Sequence, residues 1–126
     1  MQSNRAANAN VCPTVRSKVS NGTRLLQNVD GRSSTARRYR DLIRSFEAEI
    51  VGEGKLSELD LNLVKQAAAL TLRTEQMQEC IVRGEDVNPD ALIRLSSEAR
   101  RLLSSLRKRH SKSSKQAASS IEDLVA

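Results

Sequence analysis

The sequence predicts an all-α protein, on three observations. Apolar residues recur at steps of three and four along most of the 126-residue chain, which is the spacing of one helix face. Aromatics are 2% of residues and hydrophobics 38%. That is too little for a large β-sandwich or an α/β enzyme core, but enough for a small helical one. Start and stop signals bracket the periodic stretches. The expected architecture is an Arg-bearing first helix packed on a long antiparallel helical hairpin, with disordered tails at both ends.

Each element has a local cause. Residues 1–19 are rich in Asn, Ser, Ala and Arg without a period, and read as a disordered segment. Residues 20–32 read as an irregular arm, with turn signals at Asn21-Gly22 and Asp30-Gly31 and with Leu25, Leu26 and Val29 to pin it to a core. Residues 33–53 form the basic first helix. Ser33–Thr35 supply capping hydroxyls, Tyr39, Leu42, Ile43, Phe46 and Ile50 form one apolar stripe, and Gly52 and Gly54 end it. Residues 54–109 form the hairpin and oligomerisation core.

The hairpin's first helix has Ser57 as N-cap, with Glu58 and Asp60 complementing the dipole. Its seam of Leu56, Leu59, Leu63, Ala67, Leu70, Thr74, Met77 and Ile81 is heptad-like. A second stripe, Leu61, Val64, Ala68 and Leu72, lies beside it. A single partner helix would not cover both stripes. This helix is therefore either central in the monomer or part of an oligomer interface, with the second stripe as the candidate surface. Arg83-Gly84 closes it, and Asn88-Pro89-Asp90 opens the next. That third helix buries Leu92, Leu95, Ala99, Leu102 and Leu106, and is expected to end at Arg107-Lys108-Arg109-His110. Residues 110–126 then read as a flexible basic tail with an apolar-acidic end.

Composition narrows function. The lone histidine, His110, excludes a multi-histidine metal site and leaves little for His-based catalysis. It reads as solvent-exposed. Cys12 and Cys80 are too far apart for metal-ligand spacing, and read as reduced thiols of a cytosolic protein. Met77 and Cys80 fall on or beside the apolar seam as core residues. No phosphate loop, dinucleotide-binding glycine pattern, zinc-ligand set or nucleophile elbow is present. No run approaches the length of a membrane span, and the polar start lacks a signal-peptide core. The expectation is a non-enzymatic binding or assembly protein, with no cofactor and no metal.

Charge supplies the positive signal. The formal net charge is +6. By segment the balance is +4 over residues 1–32, 0 over 33–53, −2 over 54–87 and +4 over 88–126. Basic ends around a mildly acidic middle suit a polyanion partner. Arg32, Arg37, Arg38, Arg40 and Arg44 cluster at and along the first helix. Guanidinium forks suit phosphate oxygens, so these are candidate nucleic-acid contacts that would position without reading sequence. The other reading is a solvated face with pairs such as Arg37–Asp41. Arg107, Lys108 and Arg109 begin a second, flexible basic stretch that runs to Lys115, either a nonspecific phosphate arm or a soluble end. Ile121, Leu124 and Val125 form the apolar part of the end segment, either a docking peptide for a partner or an unstructured end.

The runs Val29-Asp30-Gly31-Arg32-Ser33, Ala36-Arg37-Arg38-Tyr39-Arg40-Asp41-Leu42, Leu56-Ser57-Glu58 and Ala67-Ala68-Ala69-Leu70-Thr71 resemble small proteins encoded beside DNA-packaging genes in bacteriophages and prophages. Some of these are small terminase subunits. The resemblance spans roughly residues 19–109. It implies a ring of many copies in the bacterial host cytoplasm that recognises double-stranded viral DNA and recruits or regulates the large terminase motor and nuclease. It further implies DNA contact by the Arg-rich first helix, ring assembly by the hairpin, and motor docking by Ile121–Val125. One departure matters. Only one helix precedes the hairpin, so the helix-turn-helix common in small terminases is missing. That favours phosphate-dominated contact. Two other readings stay open: a small DNA-binding regulator of a mobile element, and a structural protein of the virion.

Overall fold

A computed structural model describes residues 29–52 and 54–125. The segment 1–19 and residues 20–28 of the arm, including Cys12, Leu25 and Leu26, lie outside the described residues. The described chain is all-α: α1 (Ser34–Val51), α2 (Glu58–Val82) and α3 (Pro89–Val125). It divides into two units between Arg37 and Arg38, within α1.

In the first unit, Asp30 organises a turn. Its Oδ1 accepts the Arg32 amide at 2.9 Å and its carbonyl accepts the Ser33 hydroxyl at 2.9 Å. Ser33 Oγ then accepts the Ala36 amide at 3.1 Å. This satisfies one of the free N–H groups of the helix start.

The second unit holds the rest of α1 with α2 and α3. Gly52 ends α1 at φ +61° and returns its amide to the Ala48 carbonyl at 3.0 Å. Ser57 caps α2 by accepting the Asp60 amide at 3.1 Å. A Schellman closure ends α2: Gly84 sits at φ +81°, its amide reaches Ile81 O, and the Glu85 amide reaches Cys80 O. Asn88 then caps α3 by accepting the Asp90 and Ala91 amides at 3.0 and 3.3 Å. Pro89 occupies the first helical position, where its missing N–H costs nothing. A connection this short makes α2 and α3 antiparallel, and they share the largest helix interface.

The core lies around α2. Leu42 and Ile43 of α1, Val64, Ala67, Ala68 and Met77 of α2, and Ala99 and Leu106 of α3 are all buried. Thr74 is the polar member of the seam, and donates its hydroxyl to the Leu70 carbonyl at 2.9 Å. Thus α2 is the central helix of the monomer. Its second stripe is flanked by Lys65 and Glu75. The Lys65 carbonyl accepts the Tyr39 hydroxyl at 3.4 Å, and the Glu75 carboxylate holds Arg38. α1 therefore covers this stripe. Val64 and Ala68 have 0% exposure within one chain, so they are unavailable to the expected oligomer interface. Leu61 and Leu72 are half-buried.

The end of α3 also departs from expectation. The helix does not stop near Arg109 with a flexible tail over 110–126, but runs on to Val125. After Pro89 no Gly or Pro interrupts it, and Lys, Gln and Ala are good helix formers. The serines expected to loosen this stretch instead donate hydroxyls to carbonyls three or four residues back: Ser111 to Lys108, Ser114 to Ser111, and Ser119 and Ser120 to Gln116. From Ser111 onward every described residue is exposed.

Candidate nucleic-acid interface

At about 100° per residue, the buried side of α3 carries Leu95, Ala99 and Leu106, and the opposite side carries cations. Arg94, Arg101, Lys108 and Lys115 recur at intervals of seven. Such a row drifts only about 20° per step, so it forms one stripe. Arg100 and Arg107 make a parallel pair beside it, and Lys112 fills the gap before Lys115. Seven Lys and Arg and no Asp or Glu lie between Glu98 and Glu122. At 1.5 Å per residue, the stripe from Arg94 to Lys115 is about 31 Å long. One turn of a B-form duplex is about 34 Å.

Three ion pairs tie the cations nearest the other helices. Arg107 pairs with Glu49 of α1. Arg109 and His110 converge on Asp60, the third residue of α2. Arg109 Nη2 lies 2.9 Å from Oδ1, and His110 Nε2 lies 3.1 Å from Oδ2. Oδ1 is buried and receives no well-directed hydrogen bond, so the Arg109 contact is ionic and not a directed bond. An ionised carboxylate only accepts, so in this pair His110 Nε2 carries the proton. His110 is thus half-buried and partnered, not solvent-exposed as expected; its side chain is 24% exposed. The cluster pins the root of the exposed part of α3 to the start of α2. Among the described residues, Arg94, Arg100, Lys108, Lys112 and Lys115 have no carboxylate within ion-pair distance.

The expected nucleic-acid residues divide accordingly. In the first unit, Arg32 and Arg37 are exposed. In the second, Arg40 is half-buried and Arg44 exposed. Arg38 is committed to Glu75 through contacts of 2.6 and 3.0 Å. This hydrogen-bonded pair raises the Arg38 pKa and holds the Glu75 carboxyl below its usual range. Lys108 stands free among the described residues, between the paired Arg107 and Arg109. Ile121, Leu124 and Val125 are exposed on the last turns of α3. Sequence reasoning offered the stretch from Arg107 to Lys115 as a phosphate arm but missed Arg94, Arg100 and Arg101, because it read the third helix only for its buried side. The seven-residue recurrence and the acid-free run were the signals available.

Among the described residues no cluster of His, Cys, Asp and Glu could hold a metal. Cys80 is half-buried with a free thiol. Tyr39, whose pKa burial raises, uses its hydroxyl on the Lys65 carbonyl. No described helix is long and apolar enough to cross a membrane. Fold and site together define an all-helical chain with a cationic helix face. No protein-family model, curated protein or solved structure matches the chain.

Proposed function

We propose that this protein is a non-catalytic DNA-binding adaptor of the phage packaging kind. The observation that carries the DNA part is the cationic face of α3, which is free of acids between Glu98 and Glu122. Its cations, from Arg94 to Lys115, are spaced along about one duplex turn, and among the described residues most have no carboxylate partner, Arg101, Arg107 and Arg109 being the paired ones. Phosphate contact of this kind positions a protein on a duplex without reading bases. A single-strand binder would need aromatic platforms for base stacking. The chain has one Tyr and one Phe, and both lie on the packed side of α1. Duplex DNA is therefore the better partner.

The packaging part rests on the family resemblance of the Arg- and Ala-rich runs. It adds several copies, the large terminase subunit as protein partner, and the bacterial host cytoplasm as location.

Fluorescence anisotropy with a short duplex across a salt series tests the DNA reading. Replacing Arg100, Lys108, Lys112 and Lys115 by Gln should weaken binding and lower the salt slope, by roughly 0.9 for each phosphate no longer neutralised. Unchanged affinity and slope would remove α3 as the interface. Co-migration with a large terminase subunit tests the second partner.

A further inference from the structure

The tip of α3 presents an apolar turn with nothing to cover it. Ile121, Leu124 and Val125 are 62%, 86% and 83% exposed. Ala117, Ile121 and Leu124 continue the same side of the helix that buries Ala99 and Leu106 lower down. That side is uncovered because antiparallel α2 begins at Glu58, opposite Arg109 and His110. The tip is also strongly negative. Glu122 and Asp123 add to the negative end of the helix dipole, with no basic residue in the last turn to offset them.

A receptor of opposite character lies on the same chain. Between α2 and α3 is an open recess of about 500 Å³, lined by the apolar Leu70 and Leu95 and by Ser97, Glu98, Arg94 and Arg101, so that its charged lining is net positive. Arg101 is shared with Glu98 at 2.6 Å, while Arg94 has no carboxylate partner among the described residues. A straight helix cannot bend back on itself. Leu124 stands 26 residues beyond Glu98, or about 39 Å along the axis, so the tip cannot reach its own recess.

We infer that the α3 tip of one copy docks in the Leu70–Leu95 recess of a second copy. Leu124 and Ile121 meet Leu70 and Leu95, and the acidic tip, led by Asp123 beside Leu124, meets the arginine side of the recess. The contact is head-to-tail, so each copy offers one tip and one recess, and the assembly grows until it closes or forms an open chain. The inference rests on the multi-copy part of the proposed adaptor; Arg94 and Arg101 also belong to the cationic stripe, so its test is made without nucleic acid.

Sedimentation velocity of the full chain without nucleic acid tests it. The wild type should associate with rising concentration. Leu124→Glu, and separately the pair Arg94→Glu and Arg101→Glu, should leave monomers with unchanged helix content by circular dichroism. An equal mixture of these two variants should form a dimer and stop there, because only one intact tip and one intact recess remain. Adding Glu122→Lys and Asp123→Lys to the double arginine variant should restore association. Assembly that persists in both variants would overturn the inference while leaving a multi-copy adaptor, joined elsewhere. A wild type that stays monomeric, or a tip that binds only a large terminase subunit, would overturn it too.

Discussion

Two stretches of α3 share one helix and one charge pattern, but not one source of order. From Leu92 to His110 the helix lies against α2. Leu106 is 0% exposed there, and Asp60 anchors Arg109 and His110. From Ser111 to Val125 every residue is exposed, and only backbone bonds and serine hydroxyls sustain the helix. Burying a leucine contributes about 1.5–3 kcal/mol, whereas helix propensity differences are a few tenths per residue. The first stretch is therefore part of the folded unit, and the second is a helix its own sequence must maintain. The cationic face crosses from one to the other, so DNA would meet a rigid root and a more adaptable extension. Bound phosphates would reduce repulsion along the acid-free run and stabilise the extension further.

Core truncation separates the two stretches most sharply. At a concentration where the chain is monomeric, Leu106→Ala should cost about 2–5 kcal/mol in urea unfolding, as a cavity opens between α2 and α3. Leu124→Ala should cost almost nothing, since its side chain already meets solvent. Ser114→Pro extends the same contrast. It should lower helix content by circular dichroism yet leave the urea midpoint of the bundle in place. A midpoint shift comparable with that of Leu106→Ala would show that the extension belongs to the cooperative unit.

The junction comes next in size. Asp60→Asn removes the charge that Arg109 and His110 share, and should cost about 1–3 kcal/mol by thermal melting. Hydrogen exchange should then quicken at Arg107–His110 before it quickens near Val64. Uniform quickening would show that the anchor holds the whole fold and not just the root of the extension.

A smaller effect should follow at the hairpin turn. Gly84→Ala forces a side chain into φ +81°, with a cost of about 1 kcal/mol in unfolding experiments. Open space surrounds the position, so the cost is conformational and not steric.

The smallest effect belongs to the surface pair Arg38–Glu75. Its hydrogen bond lowers the folded Glu75 pKa below that of the unfolded chain. The stabilisation is thus present in full above the ordinary glutamate range, and is lost as pH falls through the depressed folded value. Glu75→Gln should flatten that acid limb slightly and leave stability at pH 7 nearly unchanged, because both partners are substantially exposed.

What could be read in advance follows from the range of each interaction. The helix starts at Ser33, Ser57 and Asn88 and the stops at Gly52 and Gly84 depend on groups within a few residues, so composition and spacing reveal them. The site was less legible. Arg38 looked like a phosphate ligand until Glu75, 37 residues away, claimed it. Similarly, His110 looked exposed until Asp60, 50 residues away, partnered it. No local pattern records such a pairing.

The same division holds for the molecule as a whole. Sequence by itself determined three helices, their caps, and the seven-residue recurrence of cations along α3, because propensity, capping and periodicity act locally. Tertiary structure alone decided that α1 covers Val64 and Ala68, which closes those two positions to other copies. It also decided which arginines are held by carboxylates, and where α3 leaves its neighbour. Those outcomes depend on which surfaces meet, and apolar burial is non-directional. An apolar stripe in a sequence states that it needs a partner, and only the packed helices show which partner it has.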